Sequence, residues 1–428
     1  MNLHEVLSRL GAPEKLDLFQ PFWDESVACY PADVPSFLKP EEFLVSCDYG
    51  GLPPEAQALV AETARRVRES RELSLLAWHC QRLVFERGKE YPQQSQRQWP
   101  MLTSALGDLS PLFYTLVALT AVPRIRAFHE SRGIPDKVVR ATCYGVRHNA
   151  DLFRKYNDGR WGSELRSLYW LRNHAWGDLY EVGRFQYMVK PFRPGQIVCR
   201  NRQTGETLAL AEDGVQFRPD GFRTPSAPIA TVTDGWTARL IEDKTGFTGT
   251  PISPYGRALR QEVHLPVGEW QCVMRPGDLI LEMHIPAGGG MTLEASRASM
   301  QEALEFFPRH FPGKPFRGFA CTSWIFSPNL EEFLPPESNL VRLLKEVYVY
   351  PVPSSPRCGL VFVFNQEGID LATAPRDTSL RRAIVEQFER GGEMRCGGVF
   401  VLTEDFGHFG EQWYRSRWPP EACREAGM

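Results

Sequence analysis

The clearest pattern of apolar and polar positions lies between residues 278 and 307. Apolar residues alternate with polar ones in Asp278-Leu-Ile-Leu-Glu-Met-His-Ile-Pro286, which predicts a β-strand. Three glycines follow in Ala287-Gly-Gly-Gly-Met291 and predict a tight loop. Met300, Leu304 and Phe307 then recur at helical spacing, which predicts a helix from Thr292 to about Phe307. The stretch is therefore a strand, a glycine loop and a helix.

A second strand is predicted at Phe316-Arg-Gly-Phe-Ala-Cys-Thr-Ser-Trp324. A helix between two strands favours a right-handed crossover, so the strands should be parallel neighbours. The unpaired N–H groups of a helix N-terminus and the helix dipole suit a phosphate or another anion. We therefore expect a ligand where the two strand ends meet, with the glycines as its cradle or, alternatively, only as a flexible turn.

The N-terminal pattern is helical from residue 1 to about 160, as in residues 55–69 and 71–85. Near Trp161 the pattern changes, and residues 179–189 alternate as a single strand that places Arg184 and Gln186 on one face. These two side chains are either solvated, which we favour, or turned into a polar cleft. Residues 191–267 are rich in Gly, Pro, Thr and Asp and predict β-hairpins.

The C-terminal pattern adds further elements. We expect helices at residues 340–347 and 378–390, and strands at residues 347–350, 359–364 and 398–402. From Asp278 the predicted order is therefore β-α-β-α-β-β-α-β.

Composition narrows the class of protein. The chain has 428 residues, of which 43% are hydrophobic and 12% aromatic, as in packed globular domains. The formal net charge is −3 and no basic run is interleaved with aromatics, so no nucleic-acid partner is expected. We find neither a signal peptide nor an 18-residue apolar run, and therefore expect a cytoplasmic protein without a membrane partner. Ten cysteines without a C-x-x-C pair indicate neither a zinc site nor a disulfide framework.

Several short motifs resemble one family. They are H-I-P at 284–286, F-x-C-x-S-W at 319–324, Leu330-Glu-Glu-Phe-Leu-Pro335 with Ser338-Asn339, G-R-F-Q at 183–186 and Gly249-Thr-Pro-Ile252. Their combination resembles a bacterial family of two-domain acyltransferases. The resemblance implies an α+β fold, with a helical N-terminal domain at 1–175 and a GNAT-like mixed α/β domain at 176–428. The latter carries the β-hairpin-rich insertion at 191–267.

The resemblance also implies acyl-CoA as co-substrate, no metal, and N-acylation of a small-molecule amine. Donor contacts are then expected at Ile285, Gly288, Gly289, Gly290, Met291, Arg297 and Asn339, and acceptor contacts at Arg184, Gln186 and Trp324. The usual pyrophosphate loop of the superfamily is not reproduced. Glu294 would repel a phosphate, which Arg297 could offset. Trp324 could equally pack in the core, and Ser338-Asn339 could cap a helix.

The candidate catalytic residues are His284, Glu282, Cys321 and Ser323. His284 could accept the proton of an ammonium nucleophile, or could be a structural histidine bonded to the backbone. Glu282 shares its face and could orient it, act as the base, or face solvent. Cys321 and Ser323 share a face and could approach His284, which would allow a covalent mechanism. Direct attack on a thioester needs only positioning and a base, so we rank it first.

Three functions follow from these residues. The first is direct acyl transfer from a CoA thioester to an amine. The second is a catalytically silent binding or scaffold protein that keeps a GNAT-like core. The third is a Cys321-dependent acyl transferase or hydrolase. The oligomeric state, the acyl length and the acceptor are not encoded in any of these motifs.

Overall fold

A computed structural model describes residues 1–224, 234–366 and 368–428. The chain divides into two compact units, an N-terminal unit (Met1–Val182) and a C-terminal unit (Gly183–Met428). The predicted hairpin region extends into residues 225–233, which lie outside the described part of the chain. Each unit is described by itself below.

The N-terminal unit is helical, as the sequence predicts. One of its longest helices begins at a capping residue: Ser70 caps the helix from Arg71 by accepting from the N–H of Leu73. Its elements are α1 (Leu3–Arg9), α2 (Leu16–Phe19), α3 (Trp23–Ala28), α4 (Pro40–Tyr49), α5 (Pro54–Glu69), α6 (Arg71–Phe85), α7 (Gln93–Gln96), α8 (Thr103–Leu106), α9 (Ser110–Leu119), α10 (Ala121–Ser131), α11 (Asp136–Cys143), α12 (Gly145–Tyr156), α13 (Leu165–Leu168), α14 (Leu171–Ala175) and β1 (Leu179–Val182).

The helical stretch Thr103–Ser131 is long and apolar enough to cross a membrane by length and composition alone. Within the structure, however, 72% of its apolar window is buried, and Phe113 and Val117 are fully enclosed. This burial is typical of a helix in the core of a domain.

The C-terminal unit combines strands and helices. Its elements are β2 (Phe185–Pro191), β3 (Gln196–Asn201), β4 (Thr207–Ala211), β5 (Gln216–Phe217), β6 (Trp236–Thr237), β7 (Leu240–Glu242), β8 (Gly246–Gly249), β9 (Pro251–Ser253), β10 (Arg257–Ala258), β11 (Val263–Pro266), β12 (Trp270–Met274), β13 (Leu279–His284), α15 (Leu293–His310), β14 (Gly318–Ser323), α16 (Leu330–Phe333), α17 (Asn339–Glu346), β15 (Tyr348–Pro351), α18 (Leu360–Phe364), α19 (Ser379–Glu389), β16 (Gly397–Leu402), α20 (Trp413–Ser416) and α21 (Glu421–Glu425).

The main sheet of this unit holds β2, β13, β14, β16 and β15 side by side in that order. β13 and β14 are parallel, as predicted, whereas β2 is antiparallel to β13 and β16 is antiparallel to β14. One face of the sheet packs against α15: the Tyr187 hydroxyl lies 2.9 Å from Ser299 Oγ, and the Tyr187 ring meets that of Phe307 edge to face.

The predicted hairpin region forms sheets of its own. Strands β10, β9, β4, β3 and β12 make one sheet, and β11, β8 and β7 make another. Apolar residues of the first sheet, such as Val198 and Ala209, pack with Ala320, Tyr348 and Phe400 of the main sheet in one buried cluster. The main sheet is therefore covered on both faces.

Two predicted strands are wrong. Residues 179–189 do not form one strand, because Gly183 has a φ of +64° and ends β1 before β2 begins. Residues 360–364 are a short helix, α18, bounded by left-handed Gly359 and Asn365. A short, fully apolar run fits a buried helix as well as a strand, and α18 packs in a cluster with Ile384 and Met394.

Cysteine pairing also differs from the expectation. Cys358 and Cys396 form a disulfide across a sequence separation of 38 residues, with their Cα atoms 5.6 Å apart. The spacing along the chain carries no sign of this pair, because residues of different elements are brought together only by the fold. Several other cysteines, including Cys47, Cys80 and Cys321, are free and buried.

Candidate active site

A gap opens between the carboxyl ends of β13 and β14. The parallel ladder joins Leu281 to Phe319 and Glu282 to Ala320. Beyond this point β13 continues to His284 but pairs only with β2, and β14 continues to Ser323 but pairs only with β16. The two strands therefore separate while each keeps its outer partner, as predicted for a ligand bound between them.

The glycine loop after β13 has a conformation that requires glycine. Gly288 and Gly289 have φ values of +89° and +61°, which L side chains rarely adopt. Arg184 holds the loop from β2's side by donating to the carbonyls of Pro286 at 3.1 Å and Gly290 at 3.2 Å. Arg184 thus lies between β1 and β2 rather than on one continuous strand, and its side chain anchors the glycine loop.

The loop leaves backbone donors available. In the described part of the chain, no backbone N–H from residue 287 to 291 donates a hydrogen bond to another protein group. In a trans peptide the N–H points away from the carbonyl, so carbonyls turned toward Arg184 direct the following N–H groups to the opposite side. Backbone donors that are left available beside a helix N-terminus suit an anion.

The helix after the loop begins as predicted. Thr292 caps α15 by accepting from the N–H of Ala295 at 3.2 Å. The pKa of the Glu294 carboxyl is lowered, first by its own backbone N–H, then by the Thr292 hydroxyl, with a contribution from the charge of Arg342. Glu294 is therefore a charged neighbour of the loop. Arg297 is exposed, and the cation that acts on Glu294 is Arg342 of α17, a residue that the motifs do not single out.

Asn339 lies close to the loop, since its Nδ2 would be 4.0 Å from a Cβ added at Gly290. Ser338 caps α17 by accepting from the N–H of Val341, as expected for a helix start. Met291, Ser338 and Asn339 line a cavity of about 520 Å³ that also reaches α19. The predicted donor contacts Met291 and Asn339 thus meet at one opening, while Ile285 directly follows β13.

His284 and Glu282 form a pair at the end of β13. His284 Nε2 lies 3.3 Å from Glu282 Oε2, and the side chains are 28% and 41% exposed. The pKa of Glu282 is lowered by its hydrogen bond with His284 and further by the charges of His284 and Lys190, against the effect of burial. The carboxylate is therefore charged near neutral pH and holds the imidazole, the arrangement predicted for an orienting partner.

A larger cavity of about 800 Å³ lies on the face of the sheet that carries Glu282, here called the sheet cavity. Ile280, Glu282, Ala320 and Thr322 alternate onto this face and line it. Its other charged lining residues are Lys190, Arg193 and Arg223, and Tyr350 closes it. Burial raises the pKa of Tyr350, so this hydroxyl is a neutral donor. The cavity thus combines one carboxylate with three cations.

Cys321 and Ser323 lie on β14, the parallel neighbour of the strand that carries His284 and Glu282. By alternation from the Glu282–Ala320 pair they fall on the face of Phe319, but Cys321 also lines the sheet cavity and the charge of Glu282 acts on its thiol. Burial raises the pKa of the Cys321 thiol far above its usual range, so the thiol stays protonated near neutral pH. Ser323 Oγ accepts from the N–H of Ile325 and caps a short 3₁₀-helix. The expected approach of these two side chains to His284 stays a prediction.

The remaining predicted contacts fall into two environments. Gln186 is buried and directly opposite His284 in the β2–β13 ladder, so it shares the face of His284 and Glu282. Trp324 packs on the apolar cluster of α16, α18 and α19, and a side chain at Gly359 would collide with it. Gln186 is thus at the site, whereas Trp324 has a packing role.

Sequence reasoning missed the basic residues of the sheet cavity. Lys190 could have been found from the β2–β13 register, because it pairs with Ile280 on the face of Glu282. Arg223 lies far along the chain, in the hairpin region, and carries no local signal.

In the described ranges no group of three His, Cys, Asp or Glu side chains could hold a metal ion.

Comparison with protein families agrees with this geometry. A family model described as "GNAT-like C-terminal domain" matches residues 179–400, and one described as "N-acyltransferase N-terminal domain" matches residues 45–177. The chain belongs to this acyltransferase family. The protein is therefore an acyltransferase by family, and the resemblance inferred from its motifs is confirmed. A comparison with curated proteins found no match.

Solved structures share the fold of this acyltransferase. One is an acyltransferase in complex with decanoyl-CoA and teicoplanin, with a TM-score of 0.60 and 21% identity. Another is an acyltransferase mutant in complex with octanoyl-CoA, with a TM-score of 0.59 and 20% identity. Each comparison covers 94% of this chain and 99% of the other chain. At these identities the likeness establishes the common fold.

Proposed function

We propose that the protein transfers an acyl group from a CoA thioester directly to an amine of a small molecule. The observation that carries this proposal is the separation of β13 and β14 beyond Glu282 and Ala320, directly before the glycine loop. A gap between parallel strands admits an extended thioester arm, and the loop at its mouth offers donors for the phosphates at the arm's far end. Solved relatives of the same fold bind decanoyl-CoA or octanoyl-CoA, which supports such a donor.

The residues of the loop fit the donor. Gly288 and Gly289 keep side chains away from the backbone N–H groups, and Arg184 fixes the loop from behind. An ordered loop loses little conformational entropy when an anion binds, so little of the binding free energy is spent on ordering its donors. Glu294 opposes the anion and Arg342 offsets that charge, so we expect moderate rather than tight affinity for the phosphates.

The acceptor end of the site supplies a base. A bound thioester would supply an activated carbonyl carbon next to the strand ends. An amine is mostly protonated near neutral pH, so its lone pair must be freed before it attacks. His284, held by the Glu282 carboxylate, accepts that proton. The freed amine attacks the thioester carbonyl carbon, and the C–S bond breaks while the thiolate takes up the proton held by His284. The nitrogen then loses its second proton to the vacated imidazole, which releases it to solvent.

Direct transfer is preferred over an acyl-enzyme. A covalent route would need a thiolate at Cys321, but burial and the nearby charge of Glu282 raise the pKa of this thiol. The raised pKa supports the amine route, for which we propose His284 as the base. We therefore assign Cys321 to the core of the sheet.

The test is a transfer assay with free-thiol release as the readout. The protein is incubated with acetyl-, octanoyl- and decanoyl-CoA, each with and without a panel of amines, and the acylated amine is identified by mass spectrometry. We expect amine-dependent thiol release and a higher melting temperature with CoA. Acyl on Cys321 in the intact-protein mass would instead support the covalent route. Absence of both release and stabilisation would refute the proposal.

A further inference from the structure

Three cations line the sheet cavity: Lys190, Arg193 and Arg223. Among the described residues none of the three forms a direct ion pair, although the charges of Glu282 and Glu212 act on Lys190 and Arg223 from a distance. Other arginines of the C-terminal unit do form ion pairs: Arg395 lies 2.7 Å from Glu393, and Arg415 lies 2.6 Å from Glu331. The contrast matters for Arg223, because a half-buried guanidinium normally keeps an anion close, whereas Arg193 is exposed.

Arg223 is the most enclosed of the three. Its guanidinium makes one hydrogen bond, from Nη1 to the carbonyl of Pro194 at 2.6 Å. A backbone bridge between Phe217 and Arg223 holds the residue in place. A guanidinium has five donors in a planar fork, so most of its capacity remains for a ligand in the cavity. The arginine is therefore fixed in position before any ligand binds.

Burial adds a second argument. Desolvation lowers the pKa of Arg223 and is its largest influence, ahead of the favourable charge of Glu212. A guanidinium nevertheless remains charged in proteins, so the protein itself leaves this charge incompletely compensated. A bound anion would supply the missing compensation, and a planar carboxylate matches the fork by two parallel hydrogen bonds.

The same cavity also contains a negative charge. Glu282, paired with His284, lines the cavity where β13 and β14 separate, which is where the acceptor nitrogen must approach the thioester. An ammonium group is attracted to this carboxylate before it loses its proton. The cavity is thus built with a site for a cation and a site for an anion.

We propose that the amine acceptor carries a carboxylate group, and that Arg223, assisted by Lys190 and Arg193, binds this carboxylate while the amine faces Glu282 and His284. The acceptor class is then amino acids, or larger amines that bear an acid. This inference rests on the proposed acyl transfer. The three cations could also attract an anionic group of CoA, and the experiment below separates the two sources.

The test compares matched acceptors with and without this carboxylate, at equal concentrations of the unprotonated amine. Phenylalanine with phenylalaninamide, and glycine with glycinamide, are assayed with acetyl-, octanoyl- and decanoyl-CoA by thiol release. Binding of each acceptor to the CoA-bound protein is measured in parallel by calorimetry. We expect the acid to exceed its amide by about ten-fold or more in kcat/KM, chiefly through KM, and by a similar factor in affinity.

Variants assign the effect to the residue. Arg223→Gln should lower kcat/KM for the acid to about that for the amide, and Arg223→Lys should retain part of the preference. Arg239→Gln is the matched control, because Arg239 is an exposed arginine outside the cavity. Melting curves check that each variant is folded.

The outcomes separate this inference from the proposed function. Acids and amides that react or bind equally well would overturn the inference and leave acyl transfer intact. A loss of CoA affinity in Arg223→Gln, with the acid preference kept, would assign the charge to the donor and also overturn it. If no acid of the panel binds or reacts while other amines are acylated, the inference is wrong. If no amine reacts and CoA does not bind, the proposed function fails.

Discussion

Replacement of Gly289 by alanine tests the glycine loop more directly than any other change. Gly289 has a φ of +61°, where an L residue costs about 1–2 kcal/mol. A Cβ at this position would also lie 3.4 Å from Arg184 Nε, closer than most real Cβ contacts. The variant must therefore either keep the loop at that energetic cost or relax it and turn its N–H groups away from the anion.

A relaxed and an unrelaxed loop in Gly289→Ala differ in the Kd for CoA and in the melting temperature. If the loop relaxes, one or two charge-assisted hydrogen bonds to a phosphate are lost, at about 1.5–3 kcal/mol each, so the Kd for CoA rises by about ten-fold or more. If it does not relax, the melting temperature falls by a few degrees and CoA affinity is kept. We expect the Kd for CoA to rise, because Arg184 holds the loop through only a few hydrogen bonds. Gly289→Val should raise this Kd further.

Gly290→Ala is the matched control in the same loop. Gly290 has no positive φ, and an added Cβ would make ordinary contacts at 3.7 Å with Thr292 and 4.0 Å with Asn339. Its Kd for CoA, measured by calorimetry, should stay within about two-fold of the original protein. Equal affinities without a fall in the melting temperature of Gly289→Ala, or equal losses of affinity in both variants, would show that the glycines only turn the chain and that the anion-binding argument is wrong.

Three further predictions concern titratable groups. His284→Gln should lower kcat by about 10²-fold with acyl-CoA affinity unchanged; full turnover with the same pH profile would pass the role of base to Glu282 or solvent. Because the pKa of Glu282 is lowered below its ordinary 4.5, its stabilising effect is present above that pH and is lost as pH falls through the folded-state pKa. The melting temperature of Glu282→Gln should therefore fall less between pH 7 and pH 3 than that of the original protein. Equal falls in the two proteins would contradict this. The pKa of Cys272 is lowered by the neighbouring Cys199 thiol and then by Arg275. Iodoacetamide should therefore label Cys272 faster in the original protein than in Arg275→Gln near pH 7.5, as measured by mass spectrometry. Equal labelling rates would exclude the role of the arginine.

Local patterns were sufficient for much of the fold. The strand ending at His284, the glycine loop and the helix capped by Thr292 were predicted because each depends on neighbouring residues in the chain. The parallel neighbour β14 followed from the handedness of crossovers and is confirmed. The motif resemblance added the family, which composition alone would not have indicated.

Other features failed where local patterns are ambiguous. Residues 360–364 are apolar throughout, so strand and helix could not be distinguished until the packing of α18 was known. Gly183 divides a strand whose alternation otherwise continues, since a single positive φ leaves no periodic signal. The face of Cys321 depended on the register between β13 and β14, and a shift of one residue would have reversed it.

The sequence by itself determined the order of most elements, the glycine loop between β13 and α15, and the closeness of Glu282 to His284, two positions apart on one strand. Only the tertiary structure decided which charges share the sheet cavity, because Lys190, Arg223 and Glu282 come from separate stretches of the chain. The physical reason is range: backbone conformation and side-chain periodicity act within a few residues, whereas a cavity is formed by strands that pair and pack across the whole domain.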